Sequence, residues 1–143
     1  MTHAEVRWTC VALVIGALSV GAIRAISAVT QEPARTVNDA VYSSEQAARG
    51  RKIFESKCSL CHEAERFKEV TFLNGWKGEP LSALFETIGA TMPADNPGGL
   101  QPQDYADVVA LILELNGYPA GPSEVAATKA AIASIRIEPL TRR

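Results

Sequence analysis

Between residues 43 and 117 apolar side chains recur three and four positions apart, the spacing that lines one face of a helix. Ser43-Ser44-Glu45-Gln46 offers an N-cap with Gln46 three residues on, a capping box. It predicts a helix to about Lys57 whose core face is Ala47, Gly50, Ile53 and Phe54. Gly50 inside that helix costs about 1 kcal/mol relative to Ala, so it is either a tolerated defect or a point where another backbone comes close. Pro80 at a first helical position, followed by Leu81, Leu84, Phe85 and Ile88, predicts a short amphipathic helix that Gly89 ends. Residues 90–99 hold Pro93, Asn96-Pro97 and Gly98-Gly99, which predict a loop. A last helix starts at Pro102 with Asp104 in its first turn and Tyr105, Val108, Val109, Ile112 and Leu115 as its buried stripe. Asn116-Gly117 and Pro119 close it.

No stretch alternates apolar and polar residues over a strand's length between hairpin turns, so the expected fold class is all-α. Residues 29–42 show little periodicity and read as a flexible leader, placing the start of the fold at Ser43. Residues 118–143 read as a C-terminal tail in which Ser123 caps a short Ala-rich helix and Ile135-Arg136-Ile137 lies extended on the surface. At the other end, Arg7 precedes an apolar run over residues 11–23, and the small residues Ala25, Ser27 and Ala28 follow. That is the layout of a secretory signal peptide over residues 1–28. The run falls short of the roughly 20 residues that cross a bilayer as a helix. Counting from Trp8 lengthens it and leaves an uncleaved anchor over residues 8–23 as the alternative.

At 143 residues and 47% apolar content the chain has the size of one domain, so a single site is expected. A net charge of −2 points to neither nucleic acid nor an acidic membrane surface. The distribution is less even. Residues 45–77 hold Arg49, Arg51, Lys52, Lys57, Arg66, Lys68 and Lys77 against Glu45, Glu55, Glu63, Glu65 and Glu69. Residues 78–124 hold no Lys or Arg against Glu79, Glu86, Asp95, Asp104, Asp107, Glu114 and Glu124. Cleavage near Ala28 removes Met1, His3 and Cys10, so the mature chain keeps Cys58, Cys61 and His62 as its thiols and imidazole and Met92 as its thioether.

Cys58-Ser59-Leu60-Cys61-His62 is the covalent haem attachment pattern. Two thiols one helical turn apart add across the two vinyl groups of a haem, and the adjacent imidazole reaches the iron. A structural zinc site needs four ligands, and carboxylates alone would have to complete it. A thioredoxin-like pair belongs where a strand meets a helix, whereas this motif follows a charged amphipathic helix. A disulfide across two residues is strained and leaves His62 unexplained. A low-spin electron carrier needs a sixth iron ligand, and Met92, in a loop before Pro93, is poorly placed as core filler. The expected metal ligands are therefore His62 and Met92, on one covalently attached haem c.

Gly50-x-x-x-Phe54-x-x-x-Cys58-x-x-Cys61-His62, the Met-Pro loop and the terminal helix together resemble a class I cytochrome c over about residues 43–117. Within that class, Phe72-Leu73-x-x-Trp76-x-Gly78-x-Pro80-Leu81, residues 92–98 and Asn116-Gly117-Tyr118-Pro119-Ala120-Gly121 are similar to cytochrome domains that accept electrons from dehydrogenases using pyrroloquinoline quinone. The resemblance implies that Gly50 and Phe54 meet the last helix near Val108 and Leu111, and that Trp76 lies near a haem propionate. One departure is plain: such proteins often carry a proline soon after the attachment motif, and residues 63–75 contain none.

The function expected is that of an exported, periplasmic, single-electron carrier rather than an enzyme. Its donor would be a periplasmic quinoprotein-type dehydrogenase and its acceptor an oxidase or another cytochrome, with a membrane involved only if the N-terminal segment is retained. The competing reading is a haem enzyme or a sensor of gas or peroxide with a dissociable Met92. No distal His remains in the mature chain to serve peroxide cleavage. A non-haem interaction module is the third reading. The acidic residues of the Met92 loop and last helix predict docking through apolar contacts or to a basic surface.

Overall fold

The structure, a computed structural model, describes residues 34–68 and 70–141; the expected signal peptide and anchor lie outside them. Its elements are α1 (Ser44–Lys57), a 3₁₀ turn (Ala64–Lys68), α2 (Val70–Trp76), α3 (Leu81–Thr91), α4 (Pro102–Leu115) and α5 (Lys129–Ile132). No strand forms among the described residues, and their architecture is all-α, as expected.

Each helix boundary has a local cause. Ser43 caps α1 by accepting the Gln46 N–H at 3.1 Å. The reciprocal half of the expected capping box is replaced, because the Gln46 amide is spent elsewhere: Nε2 donates to the Val125 carbonyl at 3.0 Å and Oε1 accepts the Val125 N–H at 2.7 Å. Pro80 is the N-cap of α3 and not its first helical residue, and the orphan Leu81 N–H donates to the Ile135 carbonyl at 2.8 Å. The helix also runs past Gly89 to Thr91. At the end of α4, Gly117 takes φ +78°, Gly117 N–H donates to Glu114 at 2.9 Å and Tyr118 N–H to Leu113 at 3.2 Å, which is a Schellman motif.

Helix α4 is the centre of the fold. Every residue from Tyr105 to Leu113 is buried, so the expected stripe becomes a helix covered nearly all round, while Leu115 stands half-buried at its end. Its main partner is α1, and the crossing point is Gly50. A Cβ built there would overlap the Asp107 carbonyl and lie 3.1 Å from the Val108 nitrogen. Gly50 is thus a point of backbone contact, as the resemblance implies.

Two expectations about the flanks are corrected. Residues 34–42 do not behave as a flexible leader: Val37, Val41 and Tyr42 are among the most deeply buried side chains. Residues 118–141 are not a surface tail, since Tyr118, Val125, Ile132, Ile135 and Ile137 complete the core. The short helix follows Thr128 rather than Ser123. Residues 135–137 lie extended between residues 35–37 and the segment 78–81 that leads into α3. Val37 N–H donates to the Arg136 carbonyl and Arg136 N–H to the Arg35 carbonyl, both at 2.9 Å, while Ile137 N–H reaches the Glu79 carbonyl at 2.9 Å. Tyr42 Oη donates to the Tyr118 carbonyl and Tyr118 Oη to the Glu138 carbonyl, each at 2.7 Å. The flanking segments close over a helical core too small to bury its own outer faces.

Packing also pairs the charges that the sequence separates. Arg49 on α1 makes a bidentate pair with buried Asp107 on α4, Nε to Oδ2 at 2.8 Å and Nη2 to Oδ1 at 2.9 Å, and reaches Glu124 as well. Those two carboxylates hold its guanidinium pKa above the usual value. Gln103 Nε2 donates to Asp107 Oδ1 at 2.8 Å, so the buried carboxylate is fully engaged. Arg51 pairs with Glu114 and Lys129 with Glu86. Four of the acidic groups of residues 78–124 are neutralised in this way.

Candidate haem site

The attachment motif is built by unwinding α1. Cys58 and Ser59 N–H both donate to the Phe54 carbonyl, at 2.8 and 2.9 Å, and Cys61 and His62 N–H both fold back on the Cys58 carbonyl, at 3.1 and 2.9 Å. These overlapping turns place both thiols and the imidazole on one short stretch of backbone. Cys58 is half-buried and Cys61 exposed, both as free thiols. Burial pushes the Cys58 thiol up, the direction opposite to that of a thioredoxin-like thiol. Leu60 between them is 93% exposed, the most exposed large apolar side chain among the described residues.

Cys58, Cys61, His62, Trp76 and Met92 all line one cavity of about 490 Å³. Its apolar walls come from every helix except α5: Phe54 from α1, Phe67 from the 3₁₀ turn, Phe72 from α2, Leu84 and Ile88 from α3, Val108 and Ile112 from α4. A cofactor site of that size, apolar with a few converging polar groups, is of the ordinary kind. The donor set fits a haem: two free thiols at the mouth, one imidazole and one thioether, in a cavity otherwise lined chiefly by carbon. Among the described residues no group of three or more His, Cys, Asp or Glu side chains is arranged to hold a metal ion directly. A groove of about 510 Å³ between Lys68, Lys77 and residues 137–140 contains none of the motif residues.

Three residues to which sequence reasoning gave no role at the site either line or support this cavity. Phe67 is the hub of its aromatic wall, edge-on to Phe54, His62 and Phe72 at centroid distances of 5.8, 5.7 and 5.3 Å, and Phe72 continues to Trp76 at 6.4 Å. The signal for it was an aromatic ring stranded between Arg66 and Lys68. Asn116, read as a helix stop, also donates Nδ2 to the carbonyls of Phe67 and Ile112, both at 2.7 Å, and ties the 3₁₀ turn to α4. Tyr105, read as core, donates its hydroxyl to the Met92 carbonyl at 2.9 Å. Glu63 and Glu65 are exposed, and Lys68 pairs with Glu65 at 2.9 Å.

An all-helical domain in which Cys58, Cys61 and His62 share one turn beside an apolar cavity is the architecture expected of a class I c-type cytochrome. Residues 45–112 match the family described as "Cytochrome C oxidase, cbb3-type, subunit III", which supports that class and, with it, haem c and electron transport. No curated protein and no solved structure matches the chain. No helix among the described residues is long and apolar enough to cross a membrane.

Proposed function

We propose that the protein is an exported monohaem carrier that accepts single electrons from a periplasmic dehydrogenase, of the quinoprotein type, and passes them to an oxidase or another cytochrome. The observation that carries this reading is the convergence of Cys58, Cys61, His62 and Met92 on one apolar cavity. Cys58 and Cys61 would hold the haem covalently, and His62 and Met92 would ligate its iron. The haem supplies a one-electron iron couple, and a thioether ligand raises its potential relative to a second imidazole. The chain's own part is to keep water from that couple with Phe54, Leu84, Val108 and Ile112, and to keep the ligands in place so that little has to move. Trp76 supplies an indole N–H at the cavity wall for a propionate.

The docking face in this reading is Leu60 with Pro93 and Ala94 at the cavity mouth. An apolar patch is favoured over an electrostatic one because two of the four acidic groups of the Met92 loop and α4, Asp107 and Glu114, are already paired within the fold, while Leu60 stands exposed. The test is export with a cytochrome maturation system, followed by denaturing electrophoresis and haem staining. Haem that stays with the chain, and is lost in Cys58→Ala/Cys61→Ala, is the expected result. A chain exported without bound haem would end the proposal.

A further inference from the structure

Tyr105 stands in the first turn of α4 with its ring buried against the last turn of α3. The ring lies edge-on to Phe85, with centroids 6.4 Å apart, and a Cβ added to Gly89 would stand 3.9 Å from it. A phenylalanine would fill that slot equally well. The hydroxyl, however, does more than pack: it donates to the Met92 carbonyl at 2.9 Å and accepts the Leu100 N–H at 3.2 Å. Met92 and Leu100 are the two ends of the loop that carries the thioether. Within that loop the bonds are local turns, Asn96 N–H to Pro93 and Gly99 N–H to Asn96, both at 2.9 Å. Those turns shape the loop without fastening it to the helices, and at its start the Met92 N–H caps α3 on the Ile88 carbonyl at 2.8 Å. One side chain of the central helix does fasten it, at both ends.

We propose that Tyr105 is a positioning residue that clasps the two ends of the Met92 loop with one hydroxyl and thereby sets how rarely the thioether leaves the cavity. The proposal rests on Met92 being the distal ligand. An excursion that moves the Met92 backbone breaks the bond to its carbonyl, and closing the loop again re-forms both Tyr105 bonds. Losing a neutral hydrogen bond shifts such an opening equilibrium by roughly two- to tenfold.

The test uses the holoprotein and its Tyr105→Phe variant, with Met92→Ala as reference. Three quantities are read: the weak methionine-to-iron band at the red edge of the oxidised spectrum, the rate of carbon monoxide binding to the reduced protein, and hydrogen exchange at the Leu100 amide. The wild type is expected to show the band and bind carbon monoxide slowly. Tyr105→Phe is expected to bind it on the order of fivefold faster, with Leu100 exchange accelerated to match. A wild-type band with an unchanged rate and unchanged exchange in Tyr105→Phe overturns the clasp and leaves Met92 ligation standing. Absence of the band in the wild type sinks Met92 ligation, and the clasp with it. Should the variant fail to load haem, the wild-type Leu100 amide decides: slow exchange upholds the clasp, and exchange at the rate of a free amide refutes it.

Discussion

Gly50→Ala is the sharpest probe of how the helical core is assembled. The added Cβ would overlap the Asp107 carbonyl, lie 2.5 Å from its carbon and 3.1 Å from the Val108 nitrogen. These are backbone atoms of the most buried helix, so no rotamer change relieves the clash. Restoring an ordinary 3.4 Å separation from that carbon alone requires α1 and α4 to part by about 1 Å, and the nearer carbonyl oxygen requires more. A gap of that size forfeits roughly a quarter to a half of the dispersion attraction across the interface. Overpacking of this kind costs about 1–3 kcal/mol, and α1 regains about 1 kcal/mol from replacing a helical glycine. With a rigid obstacle the upper part of that range applies, and the net expectation is a loss of about 2 kcal/mol. For a domain of this size the melting temperature then falls by roughly 10 °C. Val108 also lines the cavity, so the haem spectrum should change together with stability. The assay is thermal and guanidinium unfolding of the holoprotein, with Gly75→Ala as control. Gly75 lies in α2 with nothing within 4 Å of a built Cβ, so alanine there should stabilise by about 0.5–1 kcal/mol. A Gly50→Ala protein as stable as wild type, beside a Gly75→Ala protein that behaves as expected, would refute the close-contact reasoning.

Two further outcomes are expected. Gln46→Leu leaves the Val125 N–H and carbonyl without their partners, so the protein should lose about 3 kcal/mol by urea unfolding, with exchange at Val125 the first to accelerate; an unchanged midpoint and an unchanged Val125 amide would contradict the role given to that side chain. Burial pushes the Tyr42 and Tyr118 hydroxyls above the usual pKa of 10, helped by Glu114 and Glu138 respectively, so the folded state keeps protons the unfolded chain gives up: that contribution is intact below about pH 10, and stability falls as pH rises beyond it. Tyrosinate absorbance followed against pH should show these two groups titrating late, and titration of every tyrosine at the ordinary value would contradict it.

The helices were legible because their causes are local. Ser43 before Gln46, Pro80 before an amphipathic run, and Gly117 at the end of α4 each act within one or two turns of chain. The flanking segments were misread for the complementary reason. Val37, Val41, Val125, Ile135 and Ile137 are scattered apolar residues with no period, and they are buried only because residues 135–137 happen to pass between residues 35–37 and 78–81. Gly89 was read as a helix end, whereas α3 runs on to Thr91 and the Tyr105 ring packs at ordinary contact distance from that position. The charges were read in order along the chain, whereas Arg49 meets Asp107 across 58 positions of sequence.

Of the candidate site, the sequence by itself determined the donor atoms: two thiols and an imidazole within five consecutive residues, and a thioether in a proline-containing loop. The chemistry of those groups is intrinsic to their type, and the short spacing binds three of them to one turn. Only the tertiary structure decided what surrounds them. The aromatic wall centred on Phe67, the Asn116 tie and the two hydrogen bonds of Tyr105 to the ends of the Met92 loop all join residues brought together by the packing of α3 and α4 and of the 3₁₀ turn. Such contacts depend on where whole helices come to rest, which is set by burial summed over the core, and no local pattern records it.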